Sequence, residues 1–201
     1  HAATEGSGHF AQGSQRLGGG LIGIIMTIKI LVATHKPYRM PADSVYLPLQ
    51  VGAAGKAALG FRRDDDGENI SAKNANWCEL TGVYWAWKNL EADAVGLVHY
   101  RRHFKGREGI ATGNEIGEML RETDVILPKK RNYFIETTYS QYAHAHHAQD
   151  LDLTRQILME RHPDYVASFD LAMAATKGHR FNMFVMRRNL FDDYCAWLFD
   201  V

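Results

Sequence analysis

Cysteine is nearly absent, and its scarcity removes several classes of protein at once. Cys78 and Cys195 are the two cysteines in 201 residues, with no C-x-x-C pair and no Cys/His ligand spacing around either. A disulfide scaffold and a zinc finger are therefore excluded, and each thiol, lying in an apolar helix-like stretch, is expected to be free and buried. Charge of one sign is missing too. Lys plus Arg number 23 and Asp plus Glu number 23, so no overall field attracts nucleic acid, and any cationic site must be local. Long apolar runs are also lacking: "LIGII" at 21–25 falls far short of the roughly 20 residues that a membrane helix needs. The chain is expected to be soluble, with at most peripheral contact with a membrane.

What remains suits one sizeable core, since 46% of the residues are hydrophobic and 11% aromatic. Residues 1–25, rich in Gly, Ser, Ala and Gln, read as a leader outside the fold. A single domain is expected over 26–201. At its far end "NLFDDYCAWLFDV" puts Leu190, Tyr194 and Leu198 on one stripe and Phe191, Cys195 and Phe199 beside it, with no stop signal following. That pattern predicts a chain ending within a helix, as a fragment would.

Between these ends strands alternate with helices. Strands are expected at 29–34, 94–99, 124–128 and 181–186, and an extended segment interrupted by Pro48 at 44–54. Helices are expected at 77–89, opened by an Asn76/Glu79 capping box, at 114–122, at 151–161 with Asp150 as N-cap, at 164–175, and from 190 onward. A Tyr/His-rich connection precedes 147. Such alternation predicts an α/β fold, a mainly parallel sheet flanked by helices, with ligands bound beyond the carboxyl ends of the strands. Thr34, His35 and Lys36 after the first strand then share a rim with the end of "VGLVHYRRHF".

His99, Tyr100, Arg101 and Arg102 end a buried strand in a burst of cations. Arginines held on a rigid element can be aimed at an anion, and a diphosphate is the common demand for more than one. The alternative is solvated side chains paired with acids such as Glu108. If the strand pattern continues, Arg101 and Arg102 face opposite ways, with Arg101 on the His99 side.

The stretch "DDDGENISAKNANWCELTGVYWAWKNLEADAVGLVHYRRHF" at 64–104, with "HAQDLDLTRQI" and "RFNMFVMRRNLFDDYCAWLF" downstream, resembles the family of unknown function numbered 4422. That family is described as capsular or exopolysaccharide biosynthesis proteins and grouped with GT-A-like glycosyltransferases. The resemblance covers Thr27 to Val201. It implies a GT-A-like, Rossmann-like nucleotide-sugar-binding fold and transfer of a sugar, UDP-linked, to a bacterial capsule, exopolysaccharide or O-antigen glycan. Expected partners are a nucleotide-sugar donor and a glycan or lipid-linked oligosaccharide acceptor, met at the cytoplasmic face of the inner membrane.

On this reading His99, Arg101, Arg102 and Asp150 are the catalytic candidates, with Asp150 or a nearby histidine as acceptor base. Thr34, His35, Lys36, Asp66, Asn69, Ser71, Lys73 and Asn74 are candidates for the donor. Glu79, Trp85, Lys88, His146, His147 and Asn182 are candidates for the acceptor or its sugars, Trp85 and Lys88 because they lie off the apolar stripe of Trp77, Tyr84 and Trp87. GT-A-like enzymes commonly hold magnesium or manganese on an Asp-x-Asp pair against the diphosphate, whereas here arginines stand at that kind of position. Asp64-Asp65-Asp66 keeps the spacing but reads as a solvated acidic turn, so metal and arginine stay open as the source of positive charge. A different class also stays open: His144, His146, His147, Asp150 and Asp152 contain enough ligands for a metal-dependent hydrolase or a non-catalytic glycan-binding module.

Overall fold

The computed structural model describes residues 26–201, so the leader lies outside the described residues. Apolar and β-branched runs make the central strands. β1 (Ile28–Thr34) and β2 (Tyr46–Gln50) are followed by a two-residue β3 (Arg62–Arg63). A short α1 (Asn74–Trp77) and a longer α2 (Leu80–Asn89) lead to β4 (Ala94–His99). A small hairpin, β5 (Lys105–Gly106) and β6 (Gly109–Ile110), precedes α3 (Gly113–Glu122), whose Thr112/Glu115 capping box fixes its start, and β7 (Val125–Ile126). β8 (Arg131–Asn132) then opens a helical excursion of α4 (Thr138–Ala145), α5 (Ala148–Arg161) and α6 (Val166–Ala174). β9 (Lys177–Gly178) closes it by pairing with β8, and β10 (Phe184–Arg187) and α7 (Arg188–Leu198) finish the chain.

The main sheet has six strands in the order β3-β2-β1-β4-β10-β7. The β3-β2-β1-β4 pairings are parallel, whereas β10 runs antiparallel to both its neighbours. Alternate side chains of each strand bury on opposite faces. Ile30, Val32, Val98 and Val185 pack with Ile116 and Leu120 of α3, and Leu31, Leu97 and Phe184 pack with Val83 of α2 and Phe191 and Cys195 of α7. Helices thus cover both faces, as a parallel sheet requires. Pro48 is tolerated within β2 because β3 pairs only with Leu49 and Gln50, leaving the Pro48 nitrogen side without a strand partner.

Several local expectations are corrected. The helix expected at 77–89 is broken at Cys78, which has a φ of 46° and a ψ of −131°, so Asn76 and Glu79 form no capping box. Cys78 is exposed; Cys195 is buried, and its thiol is pushed up to about 12 by desolvation. α5 begins at Ala148 with His147 at its N-cap, which places Asp150 within the first turn. The Tyr/His-rich connection is largely the helix α4. α7 ends at Leu198 rather than running on to Val201.

One buried polar atom carries a pH prediction. The Nε2 of His103 is buried without a hydrogen-bond partner, and its ring meets the Tyr46 ring edge-on with centroids 5.8 Å apart. Burial lowers its pKa below the ordinary histidine value, so the fold favours neutral imidazole. Its contribution is complete above about pH 6.5, the unfolded value, and is lost as the pH falls toward the depressed folded value. Urea melts between pH 7.5 and 5 should lose stability on acidification, with a shallower loss in His103→Gln. Equal slopes would contradict this.

Candidate functional site

A cleft of about 640 Å³ opens at the carboxyl rim of the parallel strands. Ala33 and His35 line it from the exit of β1, Val51 and Lys56 from the exit of β2, Asn74 from the start of α1, Cys78 and Glu79 from the corner before α2, and His99 to Arg102 from the exit of β4.

Asp64 holds one wall together. It is fully buried, and both its carboxylate oxygens are filled: Oδ2 accepts from Gly52 N (2.8 Å) and Thr81 Oγ1 (2.6 Å), Oδ1 from Ala53 N (2.9 Å) and Ser71 Oγ (2.5 Å). The loop after β2, the segment before α1 and the first turn of α2 are tied to one anion. Gly52 adds a steric constraint: at its φ of +60° a Cβ would lie 2.2 Å from Asn74 Oδ1. Asn74 in turn donates from Nδ2 to the Cys78 carbonyl at 2.6 Å, and holds the strained corner that aims Glu79 into the cleft.

The opposite wall turns on His99. β4 stops there, and His99 N and O pair with Arg102 O (3.2 Å) and N (2.8 Å), making 99–102 a tight turn. Strand alternation therefore does not continue, and both Arg101 and Arg102 face the cleft instead of parting to opposite faces. Arg101 lies 5.0 Å from the Tyr100 ring centroid, beside Lys36 at 5.5 Å. Arg102 and Arg180 stack on Phe181, at 4.1 and 4.8 Å. Nε2 of His99 donates to the Phe181 carbonyl at 2.6 Å, and Asn182 Nδ2 donates to Glu79 Oε1 at 2.8 Å. Phe181 and Asn182 both have positive φ, 74° and 52°, and these two bonds pin that loop over the cleft.

The electrostatics are one-sided. Among the described residues Lys36, Lys56, Arg101, Arg102 and Arg180 make no ion pair, and Glu108 does not reach the arginines. Glu79 is the carboxylate among the lining residues. A compact, mostly cationic pocket of this kind fits a polyanion such as a diphosphate.

Other sequence candidates fall elsewhere. Thr34 is buried and bonds Lys36 O at 2.6 Å, shaping the turn after β1. Ser71 serves Asp64, and Asn69 bonds the carbonyls of Asp65 and Gly67. Lys73 packs on Trp77. Trp85, 2% exposed, gives its Nε1–H to Asp66 O and belongs to the core; Lys88 lies over Trp87 at the far rim, with Thr27 and Asp93. No bond or ring contact carries His146, His147 or Asp150 to the cleft: His146 meets Tyr142, Asp150 accepts from the Tyr142 hydroxyl, and His144 pairs with Glu136.

The donor set does not fit a divalent ion. Asp64 is consumed as described, Asp65 is paired with Arg63 at 2.7 Å, and Asp66 stands apart on the surface near Arg62. Among the described residues no three His, Cys, Asp or Glu side chains converge as metal ligands, the histidine-rich segment included.

Fold and cleft together define an α/β protein with a mostly cationic cleft at the carboxyl rim of a mainly parallel sheet. The chain belongs to the family described as "Domain of unknown function (DUF4422)", which matches residues 29–201. Among solved structures, the apo structure of the bifunctional glycosyltransferase WbbM aligns with a TM-score of 0.80 at 33% sequence identity. The alignment covers 87% of this chain and 36% of WbbM, so the chain spans about a third of that protein. No curated protein matches it.

Proposed function

We propose that the chain is a glycosyltransferase domain that moves a sugar from a UDP-linked donor to a growing bacterial capsule, exopolysaccharide or O-antigen glycan. The observation that carries this reading is the cluster of cations at the rim that make no ion pair among the described residues, on a fold shared with a glycosyltransferase. As the bond between sugar and diphosphate breaks, negative charge grows on the leaving group, and fixed cations placed there beforehand lower the barrier. Arg101, Arg102 and Lys56 supply that charge from the cleft walls, with His35 and Lys36 beside them. Glu79, oriented by Asn182, takes the acceptor hydroxyl's proton. His99 is a positioning residue, since its bond to Phe181 holds the loop that Arg102 and Arg180 stack upon.

Nucleotide binding tests the reading directly. UDP or a UDP-sugar at 100 times its dissociation constant adds about 2.7 kcal/mol of stability, which for a domain of this size raises the melting temperature by roughly 5–10 °C. Adenine and guanine nucleotides should leave it unmoved. A flat response to every nucleotide and sugar conjugate would count against transferase function.

A further inference from the structure

We propose that the ribbon formed by β8 and β9 is a docking surface for an anionic lipid bilayer. The ribbon pairs Arg131 with Gly178 and Asn132 with Lys177, and its tip is a tight turn in which Phe134 N bonds Asn132 Oδ1 at 3.0 Å and Glu136 N bonds Tyr133 O at 3.3 Å. Phe134 takes a φ of +64° there. The effect is to push two large apolar side chains off the body: Phe134 is 80% and Ile135 95% exposed. An aromatic residue in a strained turn normally gains burial in return, and among the described residues Phe134 stays 80% exposed.

The surroundings of the tip say what covers it. Lys129, Lys130 and Arg131 lead into the turn, and Lys177 and Arg180 return beside them; none of the five forms an ion pair among the described residues. Glu136, the acid at the turn, is already paired with His144 at 2.6 Å. A chain of zero net charge thus concentrates free positive charge around a two-residue apolar wedge. A wedge of two side chains is too small for a stable protein interface. It suits a fluid apolar phase beneath an anionic headgroup layer.

The placement also has a use. Gly178, opposite Arg131 at the base of the ribbon, is followed within three residues by Phe181, about 10 Å of extended chain, so the ribbon springs from the edge of the cleft and carries the wedge at its other end. The proposal does not depend on the transferase reading, because its test measures binding alone.

The chain is sedimented with sucrose-loaded vesicles of phosphatidylcholine and of phosphatidylcholine mixed with phosphatidylglycerol. Binding is expected to the anionic vesicles only, and to weaken with added salt. Lys129→Ala with Lys130→Ala should weaken it about 25-fold, each cation near the surface being worth about fivefold. Phe134→Ser with Ile135→Ser should weaken it by roughly tenfold or more, with an unchanged melting temperature. In a second measurement, Ile135→Trp places a reporter at the tip, whose emission should shift to the blue on anionic vesicles. Absence of vesicle binding, equal binding by parent and variants, or no emission shift would overturn the proposal. So would a smaller oligomer on gel filtration of the serine variant, which would assign the tip to a contact between copies of the chain.

Discussion

Arg102→Ala is expected to slow sugar transfer about 100-fold, Arg101→Ala to do the same, and both to keep the parent's melting temperature within about 2 °C. The kinetic cost follows from position. Each guanidinium is held in the 99–102 turn and steadied on an aromatic ring, so it meets developing charge without first having to reorganise. The small thermal cost follows from exposure, as both side chains are exposed and neither makes an ion pair among the described residues. Arg102→Lys should recover only part of the rate, since an ammonium cannot present the paired donors of a guanidinium to a diphosphate. Transfer should survive chelation, because Asp64 and Asp65 are committed elsewhere, Glu79 is the lone carboxylate lining the cleft, and no three His, Cys, Asp or Glu side chains converge among the described residues. Full activity in both alanine variants, or complete loss of parental activity with chelator, would refute this division of labour.

Asp64→Asn is expected to destabilise the fold by about 3 kcal/mol, a fall of roughly 6–12 °C in melting temperature. The substitution changes almost no volume. What it changes is polarity: four donors converge on the carboxylate, and an amide would turn an NH2 group toward one pair of them, with no charge left to strengthen the others. Asp64→Ala should cost more, leaving buried N–H and hydroxyl groups without acceptors. A denaturant midpoint within error of the parent's would mean that the carboxylate is dispensable to the wall it joins.

Much of the fold was legible because periodicity and turn residues act locally. β1, β4 and α3 fall within a residue or two of expectation, the two strands each marked by an apolar run. The site was half legible. Arg101, Arg102, His35, Asn74 and Glu79 were named and meet at the cleft, but Lys56, Cys78, Arg180 and Phe181 were missed. The last two depend on the direction of β10. In a parallel strand the residues after it reach the rim, whereas in an antiparallel one the residues before it do, and sequence period is blind to that choice. Trp85 and Asp64 misled for a related reason. A tryptophan off the main apolar stripe and an aspartate in a polar run both read as exposed, and each is buried because a distant partner satisfies its polar group: Asp66 O for the indole, the Gly52–Ala53 amides for the carboxylate.

The register of β10 has a consequence for how the chain tolerates changes in length. Phe184 sits opposite Leu97, so one residue on one side, Val98, and two on the other, Asn182 and Met183, separate that pair from the meeting of His99 with Phe181. An inserted or deleted residue at 182 or 183 has no slack to occupy. It must either shift the Phe181 carbonyl by about 3.4 Å, out of reach of His99, or slip β10 by one position and turn Val185 away from the core. The ribbon turn at 133–136, whose Phe134 and Ile135 are largely exposed, is not tied to a buried register in this way. Length variation can therefore accumulate at the tip, while the segment from Phe181 to Phe184 is confined to substitution.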